Sequence, residues 1–345
     1  MKHLFKAAFA LAVTTLFSVS CQKETPYTDS LTETVQSEEI LPEVSLVFAE
    51  SQQTKAFFGA TAAAESFEKS ISSLTVLVFD SSSKLQVRRS FTAAEIAGKA
   101  ASFRVPKNMA ETECSFYAVA NQSVESVTTL NELLAALDNS PSDYNGKFDI
   151  VSSSAKRSGG FLMSGSTTAT IAASGTTTEV SISLRRTVAK IAVQTSISSQ
   201  FATTYGGLIK VVSASIENAP QSVPIIASDA ASSAALTYTV TQSASTADQK
   251  WNSLFYVYDN SKIENHGSVK LKISALYDLD GDVTTTNDQR LSEYEISLTG
   301  SGNGVISRNG YYRIAATING PSGDDCTANV TAEDWETPTT QEVTL

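Results

Sequence analysis

Short runs with a two-residue apolar period recur through almost the whole length of this chain, separated by turn residues, and they leave little room for anything but strands. In EVSLVFAE, Val44, Leu46 and Phe48 fall on one face of an extended segment. LTVLVF, residues 74–79, is apolar on both faces, as a strand covered on both sides must be. Asp80-Ser81-Ser82-Ser83 then turns the chain and KLQVRRSF returns as the second arm of a hairpin. CSFYAVAN, GFLMSGS and TEVSISLRR continue the series. After Arg185 it begins again with TVAKIAVQTSI, GLIKVVSASIENAP, LFYVYDN, SVKLKISALYDLDG, LSEYEISLTG, GYYRIAATINGPSG and TANVTAEDW. Strands at this density predict an all-β sandwich architecture. A length of 345 residues suits two such units, residues 44–184 and 185–345.

One helix interrupts the first set. Leu130, Leu133, Leu134 and Leu137 repeat at helical spacing, and Thr129 with Glu132 has the spacing of a capping box. The Ser/Thr/Ala-rich stretch 228–249 reads as irregular.

The first 21 residues stand apart: Lys2 and Lys6, an apolar stretch from Ala7 to Val19, then Ser20-Cys21 at a small-residue cleavage point form an export signal. LFSVSCQKE is similar to a lipoprotein signal, in which Cys21 becomes the acylated N-terminus, although Ser18 stands where the lipobox usually has Leu. Residues 22–43 read as an acidic leash, too poor in apolar surface to fold alone. No later run reaches the roughly 18 apolar residues of a spanning helix, so any membrane attachment passes through the lipid. With the two signal lysines gone, the formal charge falls from −11 to −13. Such a surface repels nucleic acid and anionic lipid.

Catalytic material is sparse. His3 leaves with the signal, and His266 remains in a turn-like segment without a nucleophile elbow elsewhere, which reads as an exposed loop imidazole. Asp278, Asp280, Asp282 and Asp288 crowd together in DLDGDVTTTND, but Gly281 and Gln289 miss the EF-hand positions, so the stretch reads as a solvated hairpin loop with no metal. No motif calls for a cofactor. Trp251 and Trp335 are too few for a sugar-stacking platform, and Tyr256, Tyr258, Tyr311 and Tyr312 read as cross-strand packing. Cys114 and Cys326 read as two buried free thiols, with a disulfide between them as the alternative.

SCQKE, VSLVF followed by TKAFFG, LTVLVFD, FYAVAN, FLMSG, LRRTVAKIAV, YYRIAATINGPSG and the terminal CTANVTAEDW, taken in this order, make the chain resemble the fimbrillins, pilus subunits of Bacteroidales bacteria. The resemblance covers nearly the whole chain. It implies two transthyretin-like β-sandwich domains, lipoprotein export by way of the outer membrane to the cell surface, and proteolytic removal of the first strand. A neighbour's C-terminal segment then fills the vacated place, as strand addition to an otherwise exposed edge. Carried onto this sequence, the removable strand holds Val44, Leu46 and Phe48, the cut falls between Lys55 and Ala56, and the donor is the tail with Val330, Trp335, Val343 and Leu345. Family members are cut after Arg. Lys55 departs from that pattern, so either a broader trypsin-like protease acts here or this subunit stays uncut.

The implied function is a structural, non-enzymatic pilus subunit whose partners are other subunits, a protease and, before processing, the outer membrane. An anchor or tip subunit of the same system is one alternative, and a monomeric glycan-binding surface lipoprotein is another. For the tail, a last strand folded back on its own sheet stands beside the donor role.

Overall fold

A computed structural model describes residues 40–50, 66–139, 160–228, 234–241, 250–261, 269–282, 284–298, 305–322, 326–334 and 341–344. The first half contains β1 (Glu43–Glu50), α1 (Ser66–Lys69), β2 (Leu74–Phe79), β3 (Leu85–Ser90), α2 (Ala93–Gly98), β4 (Ala100–Arg104) and β5 (Glu113–Ala120), then α3 (Leu130–Ala135), β6 (Leu137–Asp138), β7 (Met163–Thr170) and β8 (Thr177–Arg186). The second contains β9 (Val188–Ile197), α4 (Phe201–Tyr205), β10 (Leu208–Pro220), β11 (Val223–Pro224), β12 (Ala234–Thr241) and β13 (Lys250–Tyr258), then β14 (Lys270–Asp278), β15 (Gln289–Ser297), β16 (Gly310–Ile318), β17 (Cys326–Asp334) and β18 (Gln341–Thr344).

The first-half strands join in the order β3-β2-β5-β7-β8-β1-β4. Only Met163 with Arg186 and Ser164 with Arg185 pair across the β7–β8 step, so the sheet folds over at that corner. Its two lobes then face each other: Val44, Leu46 and Phe48 of β1 share a core with Leu74, Val76 and Val78 of β2 and Phe116 of β5. The alternate residues of β2, Leu77 and Phe79, pack outward with Leu133 of α3, which explains why that strand is apolar on both faces apart from Thr75.

In the second half a four-stranded sheet, β12-β10-β14-β15, lies over a five-stranded one, β13-β9-β16-β17-β18. Ile191, Val193, Phe255, Val257 and Ile314 fill the space between them with Ile209, Val211 and Ile273. Alternation sends the opposite faces of β9, β13 and β16 the other way: Val188, Ala192, Leu254, Tyr256, Tyr258 and Tyr311 belong to the first-half core. A strap from the second half reinforces this joint. Val223 and Pro224 pair with Asp138 and Leu137, and the Ile225 amide donates to Ala136 O at 2.9 Å.

The helix is shorter than its leucine spacing predicts. Its capping box is present, with the Thr129 hydroxyl accepting from the Glu132 amide at 3.2 Å and the Glu132 carboxylate accepting from the Thr129 amide at 3.1 Å. Ala136 is extended, however, and Leu137 leaves the helix to pair with Pro224. Pairing with a distant strand overrides local periodicity there. Thr129→Ala is expected to lower the unfolding free energy by about 1 kcal/mol in urea titration. A second capping box, Thr92 with Glu95, opens α2, so the first half carries more than one short helix. The irregular reading of 228–249 is also corrected: residues 234–241 form β12, whose Leu236-Tyr238-Val240 alternation lies within a Ser/Thr-rich background.

Candidate functional site

Val44, Leu46 and Phe48 all point into the core, each no more than 1% exposed, and the Phe48 ring meets Phe91 edge-on at 5.9 Å. Their strand is not an edge. β1 runs parallel to β8 from Glu43 to Glu50 and antiparallel to β4 from Glu43 to Val47, so it is bonded on both sides. The chain passes through α2 and returns as β4 along the outer side of β1, so the place that the first strand occupies has a strand on either side. Taking β1 away would therefore open a two-walled slot, lined by the backbone groups of β4 and β8 and floored by the core.

Lys55 and Ala56 lie outside the described residues, between β1 and α1. Where the chain resumes, α1 is fixed by a buried polar group. One Glu68 carboxylate oxygen accepts from Lys190 Nζ at 2.5 Å and from the Tyr256 hydroxyl at 2.6 Å. The Glu68 carbonyl accepts from Arg186 Nε at 2.8 Å, and Arg186 Nη1 donates to Asn309 Oδ1 at 3.0 Å. Glu68, Arg186 and Lys190 are all essentially without solvent exposure. Phe67 completes the seat against Phe161 and Tyr256, with ring centroids at 6.1 and 6.5 Å. Burying charge is tolerable only when it is paired and bonded in this way. The signal for this group in LRRTVAKIAV is charge where burial is expected: Arg186 at the end of β8 and Lys190 within apolar β9 call for a buried polar partner such as Glu68.

At the other end, β17 lies inside the five-stranded sheet. Val330 pairs with Ile314 on one side and Val343 on the other. Val343 lies on β18, the outermost strand, whose only partner among the described residues is β17, through the four pairs from Asn329–Thr344 to Ala332–Gln341. Trp335 and Leu345 lie outside the described residues, as do Cys21 and His266. Tyr256, Tyr258, Tyr311 and Tyr312 are buried, so none of them offers a face to a sugar. Cys114 and Cys326 are separate thiols, the first buried and the second only half-buried, and desolvation pushes the Cys326 thiol up to about 11. Neither is a reactive thiolate at neutral pH.

Residues 43–340 match the family described as fimbrillin-A associated anchor proteins Mfa1 and Mfa2. The chain belongs to this family. A fimbrilin from Porphyromonas gingivalis W83 has the same fold, with TM-score 0.58 at 15% identity over 88% of this chain and 99% of the other. The tip fimbrial protein Mfa3 from Porphyromonas gingivalis, with a C-terminal truncation, superposes with TM-score 0.53 at 17% identity, over 85% of this chain and 100% of that one. A fimbrial assembly protein from Parabacteroides distasonis gives TM-score 0.50 at 18% identity, covering 88% and 98%. No curated protein matches the sequence. The all-β architecture of this fimbrillin-family chain is thus shared across structures that have kept few of the same residues.

Proposed function

We propose that this chain is a structural subunit of a cell-surface fimbria, joined to its neighbour by exchange of β1 for another subunit's tail. The observation that carries the reading is the position of β1: an interior strand with three core side chains, placed at the start of the folded body and followed by a segment that contains Lys55. Export as a lipoprotein acylated at Cys21 would bring the precursor to the outer membrane, and the leash 22–43 would let it stand off the surface. We assign the two sandwiches to residues 44–184 and 185–345. Contact through the shared core makes them work as one body, since residues 40–345 cohere as one unit.

The physical case for a cut is kinetic and entropic. While tethered, β1 re-pairs at an effective concentration on the order of millimolar, which a dilute donor cannot match. A trypsin-like cleavage between Lys55 and Ala56 removes the tether and frees the body from its lipid, while the Glu68 group keeps α1 seated. The donor's side chains must alternate as those of β1 do. Val343 and Leu345 are two residues apart, like Leu46 and Phe48, whereas Val330 and Trp335 are five apart and would face opposite sides of one strand. The edge strand β18 is therefore the part of the tail best suited to move.

Deleting residues 341–345 is expected to leave the urea midpoint nearly unchanged while abolishing addition to the next subunit in an assembly assay. A deletion from 330 would instead tear β17 away from β16 and confuse folding with assembly.

The matched family's description favours a second reading, an anchor subunit that keeps β1 and its lipid. N-terminal sequencing of the surface-exposed mature chain separates the two. A start at Ala56 supports strand exchange in a processed subunit, and an acylated Cys21 supports the anchor.

A further inference from the structure

The hairpin that joins β14 to β15 brings Asp278, Asp280 and Asp288 together, with one carboxylate oxygen of each within 4.8 Å of the others. Charge crowding alone would argue for a solvated turn. Asp278 argues otherwise: it is only 2% exposed, and its Oδ1 is buried without a hydrogen-bond partner among the described residues. Its Oδ2 accepts from Gln289 Nε2 at 2.9 Å, so the side chain is held in place while one oxygen is left open. Asp288 repeats the pattern, with Oδ2 accepting from the Asp280 amide at 2.8 Å and Oδ1 buried and unpartnered among the described residues. Two buried anionic oxygens without donors are costly unless a cation sits between them.

We propose that Asp278, Asp280 and Asp288 bind a divalent cation of the calcium class. The donor set is all carboxylate oxygen, which suits a hard cation and gives zinc neither of its preferred nitrogen and sulfur ligands. Calcium accepts six to eight oxygens in loose geometry and can complete its shell with water at a hairpin end, whereas magnesium demands a near-ideal octahedron. Asp282 is outside the site. Its Oδ1 accepts from the Thr284 amide at 3.1 Å and from the Thr284 hydroxyl at 2.6 Å. Bound there, the ion would cross-link the ends of β14 and β15, whose register closes at Asp278 with Gln289.

The test uses the full-length chain stripped with EDTA, followed by thermal melts in calcium chloride, magnesium chloride and sodium chloride of matched ionic strength, with terbium luminescence as a direct binding readout. Sites of this kind in extracellular proteins bind at about 0.1–1 mM, so about 10 mM calcium is expected to raise the melting midpoint by several degrees. Asp280→Asn and Asp288→Asn, both away from the core, are expected to weaken terbium and calcium binding about tenfold or more, because each removes one anionic ligand. Asp282→Asn is expected to bind as the parent does. A melting midpoint no higher in calcium than in sodium chloride overturns the site. So does equal binding by the parent and the Asp280 and Asp288 variants, and an equal response to magnesium overturns the calcium-class assignment.

Discussion

Trypsin at a low ratio to the purified precursor is expected to cut after Lys55 and convert monomers into an SDS-resistant ladder, while a Lys55→Ala chain remains wholly monomeric. The size of the effect follows from what holds β1. Val44, Leu46 and Phe48 each contribute about 1.5–3 kcal/mol by burial, and the backbone bonds to β4 and β8 about 0.5–1.5 kcal/mol apiece. A donor with similar side chains gains similar terms, so tethering decides the contest. Gel electrophoresis with mass spectrometry of the trimmed terminus reads the result. Cutting at Lys55 without a ladder would fit the anchor reading, and failure to cut at Lys55 would remove that residue from the account.

Glu68→Ala is expected to lower the unfolding free energy by about 3–5 kcal/mol, because it removes the buried carboxylate that Lys190 Nζ and the Tyr256 hydroxyl both contact in the joint. Pairing it with Lys190→Met is expected to recover much of the loss, since a well-packed apolar replacement of a buried ion pair is often close to neutral. Urea denaturation of the parent, both single variants and the double variant measures the coupling. Additive losses would mean that the 2.5 Å contact contributes little beyond the separate packing of its members.

The strands were easy to read because burial writes its period into them. Val44, Leu46 and Phe48 alternate over a one-sided core, and Leu74 to Phe79 do not alternate because both faces are covered. What escaped reading depends on partners far away in the chain. Leu137 is helical by spacing and extended by its pairing with Pro224, and no local signal announces β4 on the outer side of β1. The joint was hidden for a related reason: Arg186 ends β8, Lys190 interrupts apolar β9, and the residue that meets both, Glu68, lies more than a hundred residues earlier in SFEKS. The crowding of Asp278, Asp280 and Asp288 was legible, but not the turning of Asp282 to Thr284 or the buried oxygens of Asp278 and Asp288, because a linear spacing test assumes the geometry of another loop.

The slot and the tail belong to different sheets, β1 to the seven-stranded sheet and β18 to the five-stranded one. Two molecules related by a two-fold axis would have to satisfy both unions at once, a geometry that head-to-tail contacts do not require. Under the proposed exchange, growth is directional: every added unit covers one end and presents a fresh copy of the same end, so length is limited only by a member that lacks one of the two parts.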